Sequence, residues 1–410
     1  MSRVLVRGAR QLLTLHASRE PKRGLALRDL GIIRDGALLM EGGRILEVGP
    51  SRRVENLAQA RNAQEIDATG RVVMPGFVDC HTRLVCGIPW LSESEAAPYG
   101  PERRAHSSST KRLEGRARQV IDAMMRHGTT TLEAESDSGV NETSEFKILR
   151  VLAKLHRAPL DVVPTFPSPR YIPRQYQSDA SGYFARICTE LMPTIHRRGL
   201  ARFAAFDCGE QVFTLEQANR YLEAARGIGF RLKIQTGDGR QNLGVGLAVA
   251  QEAISAAPLD RADRSDVELL ARSQTIAVLL PGPAFHRGCN RWAPARQLID
   301  AGAAVALATD FNPGTGATYS MQMIVALACC RMQMTPEEAI CAATFNAACA
   351  IGCEQLVGSL ETGKSADLII LNASDYREIP YRFGVNLIRT TVKRGETVYQ
   401  EGKVTSPAHG

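Results

Sequence analysis

Between about Gly128 and Pro313 the chain repeats one unit, a short apolar run followed by a segment of helical length. GTTTLEAES leads to TSEFKILRVLAKLHR, LDVVPTF to FARICTELMPTIHRRG, and the pattern runs on through RFAAFDC to AVALATDFNP. Strands that alternate with helix-length stretches form βα units, and about 250 residues of them is the usual size of an eight-fold barrel. The expected fold is α/β, a (β/α)8 TIM-like barrel over residues 73–355. The two chain ends have a different texture. From Arg3 to about Arg71 short apolar runs are broken by Asp35-Gly36 and Gly42-Gly43, and near the other end Arg394-Gly395 and Glu401-Gly402 do the same. Such pairs supply the positive φ of hairpin turns. Residues 1–72 and 356–410 are therefore expected to build the two parts of one small β-sandwich.

Composition bounds the function classes. Charged residues make up 23% of the 410 and the net charge is +7, with basic residues dispersed except for runs such as Arg103-Arg104 and His196-Arg197-Arg198. Solvated faces account for these better than a nucleic-acid stripe does. No run of twenty apolar residues crosses a membrane. The opening RVLVRG alternates like a strand and lacks a long apolar segment or a cleavage site, so a cytoplasmic chain is expected. Ten cysteines with no CxxC pair are read as reduced and structural, Cys329 and Cys330 lying in a buried helix, MIVALACCRM.

In a barrel of this type the chemistry sits at the C-terminal strand ends. The junction after the first expected barrel strand reads MPGFVDCHTR. Residues two apart on a strand share a face, so His81 and position 83 both aim at the barrel mouth. Two histidines there would chelate one metal, but the second residue is Arg83, a fixed cation.

MPGFVDCHTR resembles the motif with which amidohydrolases open their barrel, where the family carries His-x-His. The chain is similar to imidazolonepropionase, of histidine degradation, throughout: in GTTTLEAESDSG with SEFKILRVL, in VLLPGPAFHRG, and most densely in ALATDFNPGTGATYSMQMIVALACCRMQMTPEEAICAATFNAACAIG and GSLETGKSADLIILNASDYREIPYRFGVN. The resemblance implies a catalytic metal held by two histidines after the first strand, histidines after the fifth and sixth, and an aspartate after the eighth. His81 matches the first histidine and Asp310 the aspartate. Arg83 stands for the second histidine, Gln235 in LKIQTGD for the fifth-strand histidine and Pro258 in ISAAPLD for the sixth-strand one.

The family's substrate positions depart too. Ser138 takes the place of a ring-binding tyrosine and Arg170 that of a histidine, and near Pro89 a substrate-binding arginine is absent. Asn312, Gly314 and Thr315 in DFNPGT keep family contacts. The segment from His81 to Gly128 is about fifteen residues shorter than the family's.

A catalytic zinc or iron ion needs about three protein ligands and an open position. His81 and Asp310 alone do not provide them, and Arg83 repels a divalent cation; it is expected to pair with Asp310 instead. Cys80, Cys86, Cys208, Glu133, Glu135, Asp238 and His286 lie near expected strand ends without a ligand spacing of their own. The resulting expectation is a homologue that has lost metal-dependent hydrolysis, carries no cofactor, and binds a small anionic ligand through Arg170 and its neighbours or serves as a non-catalytic subunit. The alternative is a working hydrolase of a cyclic amide C–N bond with a rebuilt site holding one zinc or iron ion. The resemblance also implies a homodimer.

Overall fold

The computed structural model describes residues 3–17, 19–85, 108–136, 142–157, 159–170, 172–209, 214–237, 243–312, 316 and 318–402. Both chain ends enter one eight-stranded sheet. Strands β1 (Arg3–Leu13), β2 (Ile32–Glu41), β3 (Arg44–Pro50), β4 (Gln64–Asp67) and β5 (Val72–Pro75) come from the start of the chain. Strands β14 (Leu368–Leu371), β15 (Ile388–Lys393) and β16 (Glu396–Gln400) come from its end. The order is β16-β15-β14-β5-β1-β2-β3 with β4 on β1, and the β14–β5 pair joins the two contributions.

Gly42-Gly43 and Arg394-Gly395 make the turns they were expected to make, with φ from +49° to +79°. Asp35-Gly36 does not. Asp35 has φ +49°, but the pair lies inside β2, where Gly36 bonds in register with both Ala9 and Pro50. The positive φ serves an irregularity in the β1–β2 pairing, at which the register shifts between Val6 and Ala9.

The second sheet is the barrel. Its strands are β6 (Phe77–Asp79), β7 (Thr129–Glu135), β8 (Asp161–Pro167), β9 (Phe203–Asp207), β10 (Arg231–Gln235), β11 (Ser255–Ala257), β12 (Ile276–Leu279) and β13 (Val305–Leu307), each parallel to the next. The first and last are drawn together just beyond the ladder. Thr82 forms a parallel bridge with Phe311, and Asp79 accepts the backbone N–H of Thr309 at 3.1 Å and its hydroxyl at 2.5 Å.

Helices cover the outside for ordinary reasons. Thr110–Arg126 starts on Ser109, whose hydroxyl accepts from the Arg112 N–H, and buries Leu113, Ala117, Ile121, Met124 and Met125 along one stripe. Leu215–Gly227 and Pro336–Ala342 open on capping boxes, Thr214 with Gln217 and Thr335 with Glu338. Met321–Met332 is the helix expected around the cysteine pair, but only Cys329 is partly covered and Cys330 is exposed. No described helix is long and apolar enough to cross a membrane.

The barrel strands put a period of two to use. On β7, Leu132 and Ala134 pack into the cluster formed with the helices Thr110–Arg126 and Glu142–Leu155, so Thr131, Glu133 and Glu135 fall on the opposite, interior face. On β10, Leu232 and Ile234 join the main core and leave Lys233 and Gln235 to the interior. All four charged or amide side chains are buried.

Candidate active site

A cavity of about 270 Å3 opens at the C-terminal ends of the barrel strands, and most of the junctions singled out in the sequence reach it. His81 and Arg83 line it from beyond β6, Arg170 from beyond β8, Asp207 and Gln235 from the ends of β9 and β10, Pro258 from beyond β11, and Asp310 and Asn312 from beyond β13. The fold thus gathers His81, Arg83, Gln235, Pro258, Asp310, Asn312 and Arg170 into one place. Ser138, Gly314 and Thr315, like Cys86 and Asp238, lie outside the described residues. Asp310 sits at φ +47°, a conformation costly for most side chains that clusters at functional sites. Gly237 closes one wall: a Cβ there would come within 2.1 Å of the Gly209 Cα, so the loops after β9 and β10 approach as only glycine allows.

Under the cavity lies a buried charge cluster. His81 Nδ1 is 3.9 Å from Glu133 Oε2 and 3.7 Å from Glu135 Oε1, while its Nε2 is 3.6 Å from Asp310 Oδ1. Lys233 Nζ sits 3.3 Å from Glu133 Oε1 and donates to the Cys80 carbonyl at 2.9 Å. Gln235 is a connector. Its amide nitrogen donates to both Glu135 oxygens, at 2.7 and 2.8 Å, and its oxygen accepts from Arg170 at 2.8 Å and Arg83 at 3.4 Å. These partners fix which way the amide points. Arg170 is anchored in turn by Asp207 at 2.8 Å.

The expected pairing of Arg83 with Asp310 is corrected. The guanidinium makes its ion pair with Glu135, Nε to Oε2 at 3.6 Å, because Gln235 and Glu135 lie together on its side of the cavity. Asp310 is acted on by the Arg83 charge through space.

Desolvation dominates the electrostatics. Burial, reinforced by the Lys233 and Arg83 cations, holds His81 well below the usual imidazole range, so the ring is neutral and able to act as a ligand. Burial raises Glu135 to about 8, with Glu133 adding to the shift, and raises Glu133 as well against the opposing pull of Lys233. Asp310 is pushed up to about 6 by burial, against the opposing fields of Arg83 and Arg287.

The chemistry of this donor set fits a divalent ion. One ligand atom each from His81, Glu133 and Glu135 can be chosen so that all lie within 4.8 Å of one another. Metal–ligand bonds of about 2.1 Å in a tetrahedral site place neighbouring ligand atoms roughly 3.4 Å apart. The two separations from His81 Nδ1, 3.7 and 3.9 Å, lie near that value, and the amide of Gln235 holds Glu135 in place. Glu133 and Glu135 were read from sequence as structural residues without ligand spacing. The Glu-x-Glu of TLEAES on a strand was the available signal, and it lies on the strand beside the one that carries His81.

Comparison with known proteins gives the family. Residues 87–399 match the model of the amidohydrolase family. The imidazolonepropionase of Geobacillus kaustophilus is 40% identical over 98% of this chain and 100% of its own length. That of Alkaliphilus metalliredigens is 35% identical over 98% and 99%. Among solved structures, N-isopropylammelide isopropylaminohydrolase from Burkholderia multivorans superposes with a TM-score of 0.75 at 17% identity, covering 99% of this chain and 100% of that one. Guanine deaminase of E. coli gives 0.72 at 16%, covering 98% and 100%. At these identities the two structures speak for the fold.

The expectation that metal-dependent hydrolysis has been lost is overturned by these findings. Full-length relatives at 35–40% identity are named as enzymes, and a second donor group stands beside the positions the family's histidines left. Glu133 and Glu135 were set aside for want of a ligand spacing along the chain, but strand ends converge, so a ligand can come from the neighbouring strand. From its matched sequence and its barrel, the chain belongs to the amidohydrolase family, as an imidazolonepropionase-like member.

Proposed function

We propose that the chain hydrolyses the C–N bond of a cyclic amide, of the imidazolone propionate type, in the cavity above His81. The observation that carries this reading is the near-full-length likeness to imidazolonepropionases, combined with one cavity in which Asp310, neutral His81 and the arginines converge. The metal group is His81, Glu133 and Glu135. A divalent ion held there would activate water and polarise a carbonyl at neutral pH.

The chain's own residues supply the rest. A substrate ring in the cavity presents its amide carbonyl toward His81 and Asp310. Water adds to the carbonyl carbon, the C–N bond breaks, and a proton must pass from the water to the leaving ring nitrogen. Asp310, 3.6 Å from His81 Nε2 and poised near 6, is the group placed to carry it. Arg170, locked by Asp207 and Gln235, presents a guanidinium at the cavity wall and binds the substrate's acidic arm. Asn312 orients the ring from the β13 side.

Arg170→Ala is therefore expected to raise KM for imidazolone propionate about 10- to 100-fold, the value of a charged hydrogen bond, with kcat changed little. Steady-state kinetics checks this, and an unchanged KM would remove Arg170 from the substrate site. The reading as a whole is tested by incubating purified protein, with and without added zinc, with imidazolone propionate and with a neutral ring lacking the carboxylate. Ring opening of the acid in preference to the neutral ring is the expected result, and opening of neither overturns the proposal.

A further inference from the structure

We infer that Lys233 is the resident counter-cation of the His81, Glu133, Glu135 group, and that a divalent ion enters that group by displacing its ammonium from Glu133. The inference rests on the metal reading of the group given above. It begins from position. Lys233 lies two residues before Gln235 on β10 and, like it, points into the barrel interior, where a lysine is out of place unless a carboxylate holds it. Its Nζ is 3.3 Å from Glu133 Oε1, while the other oxygen of the same carboxylate, Oε2, faces His81 at 3.9 Å. One glutamate therefore serves two claimants, a proton-bearing cation already present and a metal ion.

Two positive charges around one buried carboxylate repel each other strongly at low dielectric, so they cannot share it without cost. The ammonium has somewhere to go. Its second anchor is the Cys80 carbonyl, which accepts from it at 2.9 Å. A cavity of about 10 Å3, room for about one water, opens beside it and is lined by Cys80, His81, Glu135, Lys233 and Ser255. The face of Phe203 already lies 5.7 Å from Nζ and is a contact that does not depend on Glu133. Arg83 stands in the corresponding position to Glu135, at 3.6 Å, but it lines the open cavity and is tied to Gln235, so it is the less confined of the two cations. Lys233 and Arg83 thus balance the carboxylates when no ion is bound, and Lys233, the more confined of the two, opposes the entry of one.

The test is zinc affinity, measured by competition with a chromogenic chelator, for the full-length protein and for Lys233→Met, Lys233→Gln and Glu133→Gln. Circular dichroism confirms that each variant is folded, and Lys233→Gln keeps a donor for the Cys80 carbonyl should the methionine variant fail. Both Lys233 variants are expected to bind zinc at least about tenfold more tightly than the parent, and zinc should raise their melting temperature more. Glu133→Gln is expected to bind at least about tenfold more weakly. If the Lys233 variants bind no more tightly while Glu133→Gln is weakened, the competition is overturned and the metal group stands. If Glu133→Gln binds zinc as the parent does, the metal group falls, and this inference with it.

Discussion

Asp310→Asn is expected to lower kcat for ring opening by about 10^3-fold while leaving KM within a few-fold, because the change removes a proton carrier but keeps shape and hydrogen-bonding capacity. Asp310 is the carboxylate on the open side of the cluster. It lines the cavity, whereas Glu133 and Glu135 lie beneath it in contact with Lys233 and Gln235. Its left-handed backbone is tolerated by asparagine about as well as by aspartate, so the variant should fold normally. Steady-state kinetics on the folded variant checks the loss. A kcat within a few-fold of the parent would take Asp310 out of the proton path.

The second large effect concerns how the sheet built from the chain ends is held to the barrel. Lys393 on β15 is almost wholly buried, and its Nζ contacts Asp367 at 2.5 Å and Asp161, on barrel strand β8, at 2.7 Å. Arg394 adds a second contact to Asp161 at 2.6 Å. Lys393→Met leaves buried carboxylates facing an apolar side chain, and removing one partner of such a network costs roughly 3–5 kcal/mol. The Asp161 part is partly exposed, so the lower end of that range is the expectation. Urea unfolding should show a lower midpoint with a similar slope. An unchanged midpoint would mean that the apolar contacts around β15 hold the two sheets together without this network.

Much of the architecture was legible because it follows from periodicity. The run TTTLEAE on β7 alternates, the helix Thr110–Arg126 carries its apolar stripe, and each opens or closes on residues that mark such ends. His81, Arg83, Gln235, Pro258, Asp310, Asn312 and Arg170 were placed from motifs, and the barrel brings them to one cavity because every strand end points the same way. What stayed hidden depends on inter-strand register. That Glu133 meets His81 follows from β6 and β7 pairing with a shift between Phe77 and Val78, which no local pattern announces. Lys233 was a different case: the period of two puts it on the same face as Gln235, and its burial there went unread. Asp35-Gly36 shows the converse limit, since positive φ can serve a kink inside a strand as well as a turn.

The central claim is that this cavity hydrolyses a cyclic amide, and isotope transfer tests it most directly. Imidazolone propionate incubated in H2 18O with the zinc-supplemented protein should yield a ring-opened acid heavier by two mass units. It should form far faster than with Asp310→Asn or with no protein. Label that enters at the same rate in all three samples would contradict the claim.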